Sequence, residues 1–153
     1  MKAKFILASL VAVIASFSVM AGEDVAFQAS FTPEIAIYEK TQTVKGLTLS
    51  IWGENKQTSA AFGFVNGCTG DSIGASFGLV NYADAYKGAQ FSFFNNNDSI
   101  YGAQFGCLNY AETVKTGIQF GLINIIDQNK IWFKDFPRSL APVMIFVNWR
   151  FED

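Results

Sequence analysis

Histidine is absent from the 153 residues. That removes the commonest general base, and with it any Ser-His-Asp triad or Cys-His nucleophilic pair. Only two cysteines are present, Cys68 and Cys107, and neither belongs to a Cys-x-x-Cys or other metal-ligating spacing. Charged residues make up only 16%, and no glycine-rich loop precedes a Lys-Ser/Thr pair that would cradle phosphate. The basic residues form no cluster and the formal net charge is −2, so there is no electrostatic footprint for nucleic acid. Past the first residues, no apolar run reaches the ~20 residues of a membrane-spanning helix. If the body of the chain enters a bilayer, it must do so as strands. These absences lead us to expect no enzyme, no catalytic residues, no cofactor and no bound metal.

The beginning of the chain reads as an address. Lys2 and Lys4 precede the apolar run Phe5 to Ile14, and Val19-Met20-Ala21 supplies the small residues that signal peptidase accepts. We therefore expect a signal peptide over residues 1–21 and a single β-repeat domain over residues 22–153. Loss of Lys2 and Lys4 would take the eleven basic residues to nine against thirteen acids, a charge of −4. No cysteine lies near the cleavage point, which argues against a lipid anchor.

What is abundant is phenylalanine, with sixteen copies, and much of it falls in a repeated phrase. Ser59-Ala60-Ala61-Phe62-Gly63-Phe64-Val65-Asn66 recurs as residues 74–81, 88–95, 102–109 and 117–124. The closing residues Asn66, Asn81, Asn95, Asn109 and Asn124 are 15, 14, 14 and 15 residues apart. A degenerate earlier copy, residues 46–53, carries Leu49 at the phenylalanine position. Fixed-period self-similarity sets the architecture before any single residue does.

Within each copy the side chains alternate with period two. Ala103, Phe105 and Cys107 fall on one face of an extended strand, and Gly102, Gln104, Gly106 and Leu108 on the other. An acid follows the closing asparagine by three in four copies (Asp84, Asp98, Glu112, Asp127), and Lys87, Lys115 and Lys130 follow three further on. Asn and Asp suit turns, so these stretches read as tight reversals joining antiparallel neighbours. Val25 to Phe31 and Val143 to Phe151 read as flanking strands, Ile35 to Tyr38 as a further short one, and Ile126 to Pro142 as the longest connection.

The expected fold is therefore all-β: an antiparallel up-and-down meander of 14–15-residue strand-turn units, closed as a small barrel of about eight strands. With the phenylalanine face outward, such a barrel suits a bilayer, with Trp52, Trp149 and the tyrosines Tyr82, Tyr86, Tyr101 and Tyr110 near the interfaces. With that face inward, the same sheet covers a soluble aromatic core. A third arrangement stacks the repeats as parallel coils of a β-solenoid and lines up the five asparagines as a ladder. Against it stands volume, because a 14-residue coil has little room for an inward phenylalanine in every turn. In a meander Cys68 and Cys107 would not be neighbours, so both are expected to be unpaired. Asn95-Asn96-Asn97-Asp98 offers oxygens to calcium, but a plain turn explains it better.

The unit Gly117-Ile118-Gln119-Phe120-Gly121-Leu122-Ile123-Asn124 resembles the Gly-Leu-Gln-x-Gly-Leu-Val-Asn-Tyr-Ala repeat of bacterial surface repeat-containing proteins. Asn81-Tyr82-Ala83 and Asn109-Tyr110-Ala111 keep the ending of that repeat, and Pro142 with Asn148-Trp149-Arg150-Phe151 is similar to the family's C-terminal segment. The resemblance implies a surface or outer-membrane location and no particular activity. Glu152-Asp153 after Phe151 depart from the terminal aromatic of outer-membrane barrels. The expected function is a small outer-membrane or cell-surface protein with a structural or adhesive role, its partners outer-membrane lipid or a surface protein or glycan. The alternative is a soluble periplasmic or secreted β-repeat binding module.

Overall fold

The computed structural model describes residues 24–152, so the signal-peptide reading over residues 1–21 lies outside the described residues. Eight strands follow in order: β1 (Val25–Thr32), β2 (Ile35–Ala36), β3 (Thr43–Gln57), β4 (Ala60–Phe77), β5 (Val80–Phe91), β6 (Phe94–Phe105), β7 (Leu108–Ile126) and β8 (Val143–Phe151). They form one sheet in the order β2-β1-β3-β4-β5-β6-β7-β8.

The pairing overturns the meander and the barrel. β1, β3, β4, β5, β6 and β7 pair with one another in parallel, and among the described strands only β2, on β1, and β8, on β7, pair antiparallel. The chain winds as a β-solenoid, each coil pairing with the next copy of itself. Asn81 lies against Asn95, Gln90 against Gln104 and Phe91 against Phe105. A parallel return ordinarily needs a separate crossover; here the coil is its own crossover. The five closing asparagines line up as the solenoid reading requires.

The expected turns are also displaced. The acid-bearing stretches are not reversals, for β5 runs unbroken through Asp84 and Lys87. The backbone bends inside the phrase instead, at residues 78–79, 92–93 and 106–107, just after each phenylalanine. Coil-to-coil hydrogen bonds continue through these bends, with the N–H of Gly78 donating to Phe91 O and that of Leu79 to Phe64 O, both at 2.9 Å. A second corner falls at Gly88 and Gly102, whose φ values of 138° and 140° suit glycine.

Two coils are 15 residues long, and each disposes of its extra residue away from the repeated phrase. Between Cys68 and Asp71 the register shifts, and Gly70 there has φ 57°. The other shift lies where Ile100 and Tyr101 meet Val114 and Thr116. Such bulges place one extra residue opposite a single partner residue, so the phrase itself stays in register from coil to coil.

The volume objection dissolves because the phenylalanines point outward. The inward set of one coil is Asn81, Ala83, Tyr86 and Gln90; of the next, Asn95, Asn97, Ile100 and Gln104; of the third, Asn109, Ala111, Val114 and Gln119. Four inward side chains per coil leave a narrow interior, with small apolar clusters such as Ile100, Ala111, Val114 and Ile126. Amides fill the rest. At the C-terminal end β8 pairs with β7, and Ser139, Leu140 and Ala141 are buried. Asn129 and Asn148 both donate to Ala141 O there, at 3.2 and 2.9 Å.

Candidate functional site

Two amide ladders hold the coils at a fixed spacing. Along one, the Nδ2 of Asn66 donates to Asn81 Oδ1, Asn81 to Asn95, Asn95 to Asn109 and Asn109 to Asn124, at 3.0, 3.1, 2.8 and 2.8 Å. Each of these amides also donates to a backbone carbonyl at the bend, as Asn95 does to Phe105 O and Asn109 to Phe120 O. Along the other ladder, Gln119 donates to Gln104 Oε1 at 2.7 Å and Gln104 to Gln90 Oε1 at 3.3 Å. In four of the five copies a glycine follows the phenylalanine and makes room for this arrangement: a Cβ on Gly121 would stand 2.0 Å from Gly106 O and 2.6 Å from Asn109 Nδ2. In the fifth, Ser92 stands there and its hydroxyl donates to Asn95 Oδ1.

Outside, the same register stacks aromatic rings. Phe62, Phe77, Phe91, Phe105 and Phe120 form a continuous column with centroids 4.8, 4.8, 4.8 and 5.3 Å apart and planes within 8° of parallel. That is the spacing of neighbouring strands. Beside it runs a column of Phe64, Leu79, Phe93, Cys107 and Leu122, and beyond the bend a third of Val65, Val80, Phe94, Leu108 and Ile123. Phe64 is 59% exposed, Phe93 56% and Leu122 61%. None of the five copies of the phrase contains a charged residue. The three columns, running over the bend, thus make one continuous charge-free apolar face.

The charges lie elsewhere on the coil. Asp84, Asp98, Glu112 and Asp127 are all exposed, and the register aligns them coil upon coil. A groove of about 340 Å³ on this side is lined by Asp71, Lys87, Tyr101 and Lys115 among others. Lys87 sits 5.2 Å over the Tyr101 ring, a cation–π contact that occupies its charge. One edge of the apolar face is polar: Trp52 Nε1 donates to Tyr82 Oη, which donates to Glu54 Oε2, both at 3.1 Å. Burial first, and then Glu54, raise the Tyr82 phenol, against the lowering effect of the Trp52 bond.

The sequence candidates fall as follows. Asn95 and Asn97 are buried and point inward, while Asn96 and Asp98 are exposed, so the four do not converge on a calcium ion. Asn97 donates instead to Gln90 Oε1 at 2.8 Å. Cys68 and Cys107 are both free, as expected. Burial, and secondarily Asp84, push the Cys68 thiol up to about 12, so it stays protonated and is no nucleophile. Tyr86, expected near a bilayer interface, is buried inside the coil. The third apolar column is what alternation alone misses: Leu108 is assigned to the Gly/Gln side by counting in twos, but the bend at 106–107 turns it outward. A glycine followed by a further apolar residue inside a strand phrase is the signal that could have revealed it. Comparison with protein-family models, with curated proteins and with solved structures gives no match.

Proposed function

We propose that the protein is an exported, non-catalytic β-solenoid that serves as a soluble binding module in the periplasm or outside the cell, associating through its charge-free apolar face. The observation that carries this reading is that face: three aligned columns of large apolar side chains, open to solvent and held rigid from within by hydrogen-bonded amides. Contiguous exposed apolar patches beyond a few hundred Å² mark interaction surfaces. Export rests on the basic, apolar and small-residue order of residues 1–21, and the lack of catalysis on the absence of histidine and of any close pairing of reactive groups in the sequence.

Fractionation of producing cells tests the location: the mature chain should leave with the osmotic-shock fluid, and a chain that resists carbonate extraction from membranes would contradict it. Retention on a phenyl matrix tests the face, and Phe64→Ser, which removes an outward ring, should elute earlier. A second reading places the same face against membrane lipid, which its hydrocarbon chemistry favours. The lack of a basic rim, which attracts anionic headgroups, weighs against it.

A further inference from the structure

The apolar face has a chemistry narrow enough to select its occupant. In the phenylalanine column each ring lies parallel to the next, with centroids 4.8 Å apart over most of its length. The π-faces are therefore spent on one another, and what reaches solvent is ring edge. A sugar ring or nucleobase needs an open aromatic face to stack on, and the column offers none along its length. The absence of charge across all five copies of the phrase gives a charged partner nothing to pair with.

Two further properties favour a surface like itself. The first is area. At about 200 Å² for a fully exposed aromatic side chain, Phe62, Phe64, Phe91, Phe93, Phe94 and Phe120, between 36% and 59% exposed, present about 570 Å². The neighbouring aliphatics Leu49, Ile51, Leu79, Leu122 and Ile123, each 44% to 61% exposed, carry the patch past about 800 Å², the share of one partner in a standard stable interface. The second is period. The face is ridged at the coil repeat, and a second solenoid carries ridges at the same spacing, so its side chains can interdigitate along the whole length.

We infer that the partner of this face is a second copy of the chain, the two solenoids packing sheet on sheet as a two-fold dimer. This rests on the reading of the face as a binding surface. Packed sheets sit about 10 Å apart with interleaved side chains, and a two-fold axis through the middle column sets that column against its own counterpart in the other copy. Cys107 lies in the middle column, so dimerisation covers its thiol, while Cys68 is covered in either state by burial within the coil.

The test combines analytical ultracentrifugation of the purified chain with maleimide labelling of Cys107. The expected result is twice the monomer mass and slowed labelling. Phe93→Asp and, independently, Leu122→Asp should weaken the dimer at least about tenfold, because each buries an unpaired charge, and should restore fast labelling with an unchanged circular dichroism spectrum. Ile73→Asp, on the charged side and 49% exposed, should leave the dimer intact. A dimer indifferent to both face variants would overturn the inference by putting the interface elsewhere. A monomer that floats with neutral phosphatidylcholine vesicles would overturn it in favour of lipid, and one that binds a phenyl matrix but no vesicle would overturn it while sparing the binding-surface reading. A monomer that does neither would overturn both.

Discussion

Asn95 makes four hydrogen bonds from a fully enclosed position. It accepts from Asn81 Nδ2 at 3.1 Å and Ser92 Oγ at 2.8 Å, and donates to Phe105 O at 3.1 Å and Asn109 Oδ1 at 2.8 Å. Asn95→Ala breaks the ladder at its centre and strips Asn109 Oδ1 of its ladder donor. Because an unmade buried bond costs more than a made one gains, the loss should be about 3 kcal/mol, read as a lower urea midpoint. Asn96→Ala, one residue on but exposed, should change stability by less than about 0.5 kcal/mol; equal effects would contradict the ladder's role. The interior is not fully satisfied, since Tyr86 Oη, Gln90 Nε2, Asn97 Oδ1 and Gln119 Oε1 are buried without partners. Titration gives a second residue-scale prediction. The Cys68 thiol has an ordinary value of 9.0 and is pushed up to about 12 when folded. The folded chain therefore holds a proton that the unfolded chain releases, so stability is full below pH 9 and falls as the pH rises toward 12. Burial, and then Cys68, raise Tyr86 in the same direction. At a pH of about 10, Cys68 alone should cost about 1 kcal/mol. Cys68→Ala should flatten the decline in urea midpoint between about pH 8 and pH 10, and parallel declines in the two proteins would remove Cys68 from the account.

At the scale of the coil, pairing is only with the coil before and the coil after. Deleting residues 88–101 joins Lys87 to Gly102, and Gly102 occupies in its coil the place of Gly88. The shortened chain should therefore fold, with the same sheet spectrum and a smaller urea m-value, because less surface is exposed on unfolding. Deleting Ala103 alone should abolish folding, since a one-residue slip turns Gln104 and Phe105 to the wrong sides. The same locality governs what the sequence revealed. The period, the outward phenylalanines of the barrel reading and the flanking strands β1 and β8 were all legible, because alternation and repeat length are local properties. The sense of pairing was not, because parallel coils and antiparallel hairpins of equal length carry the same alternation. At Asn81, Asn95 and Asn109 the meander reading needs strand ends beside turns, where asparagine is common, and only the solenoid reading stacks them as a ladder; in the narrow coil they are interior. Acids three residues later marked an exposed side, not a reversal. The site suffered the same way: two columns of the apolar face followed from counting in twos, whereas Val80, Phe94 and Leu108 required knowing where the backbone bends.

The whole molecule keeps charge off the face built by the five copies of the phrase and must also close its ends. At the C-terminal end the closure is β8 together with residues 139–142, which reach back to Ile126 N through Pro142 O at 3.0 Å. A chain stopped after Ile126 would leave the β7 edge open, with its unpaired N–H and C=O groups beside the apolar columns. It should aggregate during purification, scattering light where the intact protein does not, because an open edge next to an apolar face recruits other chains. A soluble, well-dispersed truncation would show that the cap is dispensable.

The two amide ladders run in opposite senses: the asparagines donate toward the C-terminal end and the glutamines toward the N-terminal end. Aligned peptide units give an α-helix a macrodipole that grows along its axis and attracts counter-charge at its tips. Here the side-chain dipoles oppose one another within the same lumen over the coils of Gln90, Gln104 and Gln119, whereas the coils with Ala61 and Ser76 at that position carry the asparagine ladder alone. Adding a coil that carries both amides therefore sets one added dipole against another, and the stack can lengthen or shorten by such repeats with little electrostatic penalty that increases with length.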